Sequence, residues 1–310
     1  MVDPFGCIDS FFTKHPDVLH WGVATTEPIE HAEDFRQWLA DGRHGEMAYL
    51  ENNLEMRLKP RNFFPEAESI VLFLHRCPQP ILDPAAESEA RVAAYACGPD
   101  YHHQLKALIR DLQQSLLKGD PTLKLKAFVD SAPVMERDLA VRARLGWFGK
   151  NSMLLHPKHG SHFFIGGFFL NRRIAKDQPA IPDRCGTCRR CIEACPTSAI
   201  SDSRQINATR CISYLTIEQK GEIDPNLGRK MGNHIFGCDT CQQVCPWNQK
   251  HLAQVPPPAS KFQRTLDDWL KILQPGGGFK RLFKETPLYR SGRKRLLRNV
   301  ELAIGNRSGR

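Results

Sequence analysis

Three apolar runs of strand length punctuate the first 180 residues: Ser69 to His75 (SIVLFLH), Lys124 to Asp130 (KLKAFVD) and Phe163 to Leu170 (FFIGGFFL). Between them the spacing becomes helical. From His102 to Leu117, the side chains of Leu105, Leu108, Ile109, Leu112 and Leu116 fall on one face, and Gly119, Asp120 and Pro121 end the helix. Strands alternating with helices predict a layered α/β domain over residues 1–180, with a site at the strand ends. Pro179, Pro182 and Asp183 mark its boundary with a cysteine-rich segment, 181–250. The last region, 251–310, opens with a turn-rich linker, Val255 to Pro258 (VPPP). Beyond it, Leu266, Trp269, Leu270, Ile272 and Leu273 predict an amphipathic helix that stops at Pro275 to Gly278. A second, from about Arg293 to Ile304, carries Leu296, Leu297, Val300 and Ala303 inside. The pair resembles a fragment of a helical repeat with a basic face, too short to be an array.

At 310 residues the chain has room for two or three domains. The formal charge of +9 is unevenly placed. Residues 261–310 hold 13 Lys and Arg against 4 Asp and Glu, which is the whole excess. A basic end of this kind is the electrostatic footprint of a polyanion-binding surface, with affinity that falls as salt rises. The N-terminus MVDPFGCIDSFF lacks the charged and apolar regions of a secretory signal, and no apolar stretch is long enough to span a bilayer. A cytoplasmic protein with no membrane partner is expected.

Eight of the 11 cysteines lie between positions 185 and 245. Cys185, Cys188, Cys191 and Cys195 form a C-x2-C-x2-C-x3-C-P run. Cys211 stands alone, and Cys238, Cys241 and Cys245 form a shorter run that also closes in Cys-Pro. In two-cluster bacterial ferredoxins the fourth cysteine of such a run ligates the other cluster. The spacing therefore assigns one [4Fe-4S] cluster to Cys185, Cys188, Cys191 and Cys245, and the second to Cys195, Cys211, Cys238 and Cys241. A zinc ribbon fits poorly, because the CxxC pairs are far apart and extra cysteines are interleaved. A disulfide scaffold would need an oxidising compartment. Cys7 and Cys77 have no such spacing and read as ordinary buried or free thiols.

Clusters move single electrons, so the N-terminal half should hold an acceptor or a substrate. Nucleotide signatures fail there. No strand-associated GxGxxG is present, and the phosphate-loop-like Gly149-Lys150 has Arg144 where glycine is required and Asn151 where Ser or Thr is required. Flavin sites carry no strong local signature, which leaves flavin open. Two patterns are more distinctive. In Val129-Asp130-Ser131-Ala132-Pro133-Val134-Met135-Glu136-Arg137 an apolar strand delivers a carboxylate to its end. Leu145-Gly146-Trp147-Phe148-Gly149-Lys150-Asn151-Ser152 is a glycine- and aromatic-rich loop one helix later.

These patterns, with Tyr95-Ala96-Cys97-Gly98-Pro99-Asp100-Tyr101-His102, Arg57 with Pro60, the Cys-Asp-Thr-Cys-Gln-Gln-Val-Cys-Pro-Trp-Asn run, Leu297-Arg298-Asn299 and Gly305-Asn306, resemble the epoxyqueuosine reductase family. The similarity covers most of the chain, from about Gly45 to Asn306. It implies a cobalamin- and iron-sulfur-dependent oxidoreductase of tRNA modification, related to reductive dehalogenases, that converts epoxyqueuosine to queuosine at the wobble base of tRNAs with GUN anticodons. It implies an α/β cobalamin-binding domain, with a flavin-reductase-like or Rossmann-like layered sheet. A two-cluster ferredoxin-like module and a short basic helical C-terminus follow. Cobalamin would bind base-off and be reduced by the nearer cluster, that of Cys195, Cys211, Cys238 and Cys241. The other cluster would take electrons from an external low-potential donor.

By the same resemblance Asp130 is the proton donor, with a pKa raised by burial beside Phe128 and the corrin. Arg57 would meet a polar corrin substituent or the tail phosphate. Cys97 would lie near the cofactor as a small residue in a tight pocket rather than as a catalytic thiol. Loops carrying Leu154 and Ile165 would wall the corrin, and Gly237 and Asp239 would touch it beside Cys238. Lys294, Arg295 and Arg298 are the expected phosphate contacts to tRNA, whose target base must be unstacked to reach the cobalt. Many family members extend further beyond the Gly-Asn element, which implies fewer tRNA contacts here. Two other functions compete: a corrinoid reductase or dehalogenase of a small molecule, and a ferredoxin-type electron carrier. The basic C-terminus speaks against the first, and the long α/β half with its Asp130 motif against the second.

Overall fold

A computed structural model describes residues 3–77, 89–252 and 261–308, so the expected linker at Val255 to Pro258 lies outside the described residues. Eight strands run in chain order: β1 (Val18–Ala24), β2 (Ser69–Arg76), β3 (Arg91–Val92), β4 (Leu125–Val129), β5 (Trp147–Phe148), β6 (Leu154–Leu155), β7 (Phe163–Leu170) and β8 (His234–Phe236). The main sheet has the order β1-β2-β7-β4, and every neighbouring pair in it is antiparallel. This corrects the Rossmann-like alternative, which needs a parallel sheet. Its strands gave no warning, because a strand buried on both faces reads as a continuous apolar run whichever way its neighbours run.

The sheet is covered on both faces. Along β2, Val71 and Phe73 pack with Ile8 and Phe12 of the helix Pro4–Thr13 and with Leu105, Ile109 and Leu112 of the helix Tyr101–Gly119. The alternate residues Ile70, Leu72 and Leu74 pack with Leu139 and Ala140 of the helix Glu136–Arg142. In β7 the two faces meet at Gly166 and Gly167. A Cβ there would stand 2.6 Å from a ring carbon of Phe73 and 2.4 Å from one of Phe128, so the missing side chains let those rings close on the sheet.

The helix expected from His102 spans Tyr101–Gly119, capped by Asp100, which accepts from the His102 N–H at 3.0 Å. The C-terminal helices Leu266–Leu273, Phe279–Phe283, Leu288–Ser291 and Arg293–Ser308 share a core with other parts of the chain. Trp269, Phe283, Leu296 and Val300 are fully buried together with Val92 of β3 and Ile235 and Phe236 of β8. β3 and β8 pair in parallel, so a segment of the first 180 residues is stitched to the cysteine-rich segment just before Cys238.

Asn299 holds this junction. It is completely buried, and its Nδ2 donates to Thr216 O at 2.9 Å and to Ile235 O at 2.8 Å. Asn299→Ala strands two buried carbonyls and should cost about 1–3 kcal/mol for each group left unsatisfied. A lowered Tm of the cluster-loaded protein is the expected reading; an unchanged Tm would show that the junction does not need these bonds.

Candidate functional site

β4 delivers Asp130 to its end, where the backbone turns with φ of +22°, a conformation L residues rarely adopt. Tyr101 Oη donates to its carboxylate at 3.0 Å, and His102 Nε2 lies 3.3 Å from the same oxygen. Both partners come from the first turn of the helix Tyr101–Gly119. His102 Nδ1 is 2.7 Å from Asp100, and Arg290 Nη1 is 2.7 Å from His102 Nε2. With Nδ1–H donated to Asp100, a neutral His102 can only accept from Arg290 through Nε2. A protonated ring would donate to Asp130 instead.

Asp130 is exposed, with solvent reaching 64 % of its side chain, although protein crowds around its carboxyl. Burial raises its pKa. The hydrogen bonds from His102 and Tyr101 and the charges of His102 and Arg290 outweigh that and hold the carboxyl below its ordinary value. The protein's own groups thus lower the Asp130 pKa, where a raise by Phe128 and the corrin was expected. Phe128, the apolar neighbour behind that expectation, is turned into the core against Phe169.

Glu136 moves the other way. Burial, followed by the charge of Asp130, pushes it up to about 8, and its Oε1 is buried without a hydrogen-bond partner. Arg57 is buried too, with Nη2 donating to Tyr49 O at 3.1 Å and Nε unpaired. The charges of Glu136, Tyr49 and Asp130 all act on Arg57, so these groups form one electrostatic cluster. Such unspent buried donors and acceptors are what a large polar ligand would complete.

The other expected cofactor contacts fall in two places. Leu154 is buried in the core and paired with Phe148, and Ile165 is half-buried on β7. Cys97 is buried, its Sγ 3.5 Å from Ala93 O, and burial pushes the thiol pKa up. Gly237 has φ of +67°, and a Cβ there would stand 2.5 Å from the Ala93 Cβ. Asp239 is buried and accepts from the Ala94 N–H at 2.6 Å, with burial raising its pKa to about 6. Tyr95 spans the gap between the two places. Its ring lies 6.4 Å from that of Tyr101 and 6.0 Å from that of Phe236, and both Asp130 and Asp239 act on its phenol.

None of the described cysteines, the eight clustered ones and Cys7 and buried Cys77 included, forms a disulfide. Mutual electrostatics divide the eight. Cys191 and Cys245 are each acted on by Cys185 and Cys188, whereas Cys211 is acted on by Cys238 and Cys195, and Cys241 by Cys238 and Cys211. Cys241 also feels Cys191, so the two quartets are neighbours. Among the described residues no three His, Cys, Asp or Glu converge tightly enough for a single metal ion.

The three expected phosphate contacts differ in their surroundings. Lys294 is exposed, but Arg295 donates to Ile217 O, and Arg298 donates to Leu215 O at 2.7 Å, Gln219 O at 3.0 Å and Gly221 O. These two arginines close the end of the helix Ile212–Ile217, whose last carbonyls have no intrahelical donors. Other exposed cations line a surface on the C-terminal helices, one of them, Lys284, paired with Glu285 at 3.6 Å. A concavity of about 990 Å³ is lined by Phe279, Lys280, Arg281, Lys284, Tyr289 and Arg293, and Lys280, Arg281 and Lys284 are exposed around Tyr289. No helix is long and apolar enough to cross a membrane among the described residues.

Sequence reasoning missed the roles of Tyr101, His102 and Glu136, although all three lie in the stretches it singled out. It missed Arg290 for a different reason: 188 positions separate it from His102, and nothing local marks it.

Known proteins resemble this chain closely. A family profile described as "Epoxyqueuosine reductase QueG, DUF1730" matches residues 57–131, and one described as "4Fe-4S double cluster binding domain" matches 184–248. Epoxyqueuosine reductase of Leadbetterella byssophila is 41 % identical over 90 % of this chain and 91 % of its own. That of Cyclobacterium marinum is 39 % identical over 87 % of each. An epoxyqueuosine reductase solved with an epoxyqueuosine-modified tRNA-Tyr stem loop superposes with a TM-score of 0.84 at 29 % identity, covering 98 % of this chain and 82 % of that one.

The charge state of Glu136 gives a direct test. Its folded pKa is about 8 against an ordinary 4.5. A raised pKa contributes stability that is present below about pH 4.5 and lost as pH rises through about 8. Glu136→Gln should flatten that decline in a Tm-against-pH profile; a decline of the parent's size would place its origin elsewhere.

Proposed function

The chain belongs to the epoxyqueuosine reductase family, and from that membership we propose how its residues reduce epoxyqueuosine to queuosine in tRNA. The observation that carries the proposal is a short aromatic bridge. Asp130 is held by Tyr101, Tyr101 packs against Tyr95, and Tyr95 packs against Phe236, two residues before Cys238. A chain of side-chain contacts thereby links the strand-end carboxylate to the loop of Cys238.

Cys195, Cys211, Cys238 and Cys241 hold the inner [4Fe-4S] cluster, and Cys185, Cys188, Cys191 and Cys245 the outer one. Base-off cobalamin suits the surroundings of Asp130, because Arg57 Nε and Glu136 Oε1 have unspent hydrogen-bonding capacity that a cofactor ringed by amide arms would use. Arg57 takes a polar arm, Leu154, Ile165 and Gly237 offer backbone or small surfaces, and Cys97 and Asp239 fix the loop beside it. When bound, the cofactor supplies a low-valent metal able to open an epoxide.

Deoxygenation of an epoxide to an alkene takes up two electrons and two protons and releases water. Asp130 gives a proton to the epoxide oxygen. While exposed, its carboxyl is held low, so donation requires a bound substrate that expels the solvent around it and raises its pKa. Glu136 is the adjacent acid that keeps its proton at neutral pH. The tRNA backbone follows the groove of Lys280, Arg281 and Lys284, with Tyr289 available for stacking, while the unstacked wobble base of a GUN anticodon reaches Asp130.

Asp130→Asn should keep cobalamin and both clusters yet lose about 10²- to 10⁴-fold in turnover of epoxyqueuosine-bearing tRNA. Near-normal turnover would remove Asp130 from this role. Lys280→Glu with Arg281→Glu should weaken tRNA binding and reduce the slope of log affinity against log salt by about 2, measured by titration at several salt concentrations. Equal loss at all salt concentrations would show that these side chains do not meet phosphates.

A further inference from the structure

The outer quartet reaches the surface beneath a rim of cations that the reaction does not use. Cys188 is flanked by exposed Gly186, Thr187, Arg189 and Arg190, whereas Cys238 of the inner quartet lies between buried Gly237 and Asp239. Trp247 packs with Cys245 and Cys185 and meets Trp147 edge-on at 5.2 Å. Its ring also carries Lys250 Nζ at 4.9 Å and Arg184 Cζ at 5.8 Å from the centroid. Among the described residues, Arg190 donates to Gln249 at 3.4 Å.

The nearby carboxylates are already occupied. Asp183 pairs with Arg204, and Asp202 and Glu193 pair with Arg189. Arg184, Arg190 and Lys250 have no carboxylate partner among the described residues. Two of these exposed cations, Arg184 and Lys250, thus lie over an aromatic ring that shares an apolar cluster with Cys185 and Cys245, and the third, Arg190, stands two residues from Cys188.

We propose that this rim, Arg184 and Lys250 over Trp247 and Arg190 near Cys188, docks an acidic one-electron carrier protein that delivers electrons to the outer cluster. The proposal rests on the assignment of Cys185, Cys188, Cys191 and Cys245 to that cluster. A one-electron donor matches a cluster that accepts single electrons. Charge complementarity raises the encounter rate and orients the partner, and added salt removes the advantage. A polyanion such as tRNA would also be drawn to cations, but the groove at Lys280 and Arg281 is a separate surface on the C-terminal helices. The tests therefore separate the two.

The experiment uses the cluster-loaded protein and its Arg184→Glu/Arg190→Glu/Lys250→Glu variant, with iron content confirming that the clusters are intact. Reduction is followed by stopped-flow bleaching, with reduced flavodoxin as the acidic protein donor and reduced methyl viologen as a small cationic donor. The variant should react with flavodoxin about 10-fold or more slowly at low salt and lose its salt dependence. With viologen it should react at least as fast as the parent, and its tRNA affinity should be unchanged. The Arg184→Gln/Arg190→Gln/Lys250→Gln variant should fall between. An unchanged flavodoxin rate overturns the proposal, as does a loss of tRNA affinity with flavodoxin reduction intact. Viologen-driven turnover of epoxyqueuosine-bearing tRNA by the parent tests the family function independently of the rim.

Discussion

The hydrogen bond from the Ala94 N–H to the buried carboxylate of Asp239 is the contact on which the site depends. Asp239 immediately follows Cys238, and Ala94 immediately precedes Tyr95. One bond of 2.6 Å therefore fixes the inner cysteine loop against the aromatic that leads to Asp130. The pairing of β3 with β8 sets the register of the same junction, and Gly237 N donates to Thr216 Oγ1 at 2.9 Å to turn the chain beyond it. A buried carboxylate is costly unless its acceptors are used. Here burial raises Asp239, and the backbone donor from Ala94 pulls against it. Loss of either partner would free the Cys238 loop and the Tyr95 segment together, so under the proposed function electron delivery and proton delivery share one mechanical support.

The same low-dielectric setting sorts the carboxylates of the site. Asp130 has hydroxyl and imidazole partners and an arginine in reach, and its pKa falls. Glu136 has an unpartnered oxygen and a carboxylate neighbour, and its pKa rises. Two acids whose pKa values are driven apart by their surroundings are a recurrent arrangement for proton transfer at neutral pH. His102 links this pair to distant parts of the chain, since it is held by Asp100 at the helix start and approached by Arg290 from the C-terminal helices. The C-terminal region thus contributes to the surroundings of Asp130 as well as to a basic surface.

Local pattern and local chemistry were legible in the sequence. The runs that became β2, β4 and β7, the helix beginning near His102 and the cysteine spacing follow from periodicity and ligand rules that act over a few residues. Strand direction was not legible, because β2 is buried on both faces and such a strand carries the same apolar signature in parallel and antiparallel sheets. β1 escaped because His20 and Gly22 interrupt its apolar run. The expected rise in the Asp130 pKa rested on Phe128 and the corrin; the Phe128 ring points into the core, and the groups that lower the pKa here, Tyr101, His102 and Arg290, lie far from Asp130 in the sequence.

The basic residues make the sharper case. Arg298 and Arg281 are indistinguishable by composition and lie in the same charged region, but the guanidinium of Arg298 is spent on three backbone carbonyls and on Asn299. Arg281 lines an open groove. A net charge therefore overstates the cations available to a partner wherever arginine is used to close helix ends. The converse also holds. The region before residue 261 is balanced in sequence, with its basic and acidic residues equal in number, yet its carboxylates at Asp183, Glu193 and Asp202 are consumed by Arg204 and Arg189. Arg184, Arg190 and Lys250 are left to set the local field. Local neutrality in the sequence and local positive potential on the surface are compatible, because ion pairs remove charges two at a time and leave the unpaired ones where geometry places them.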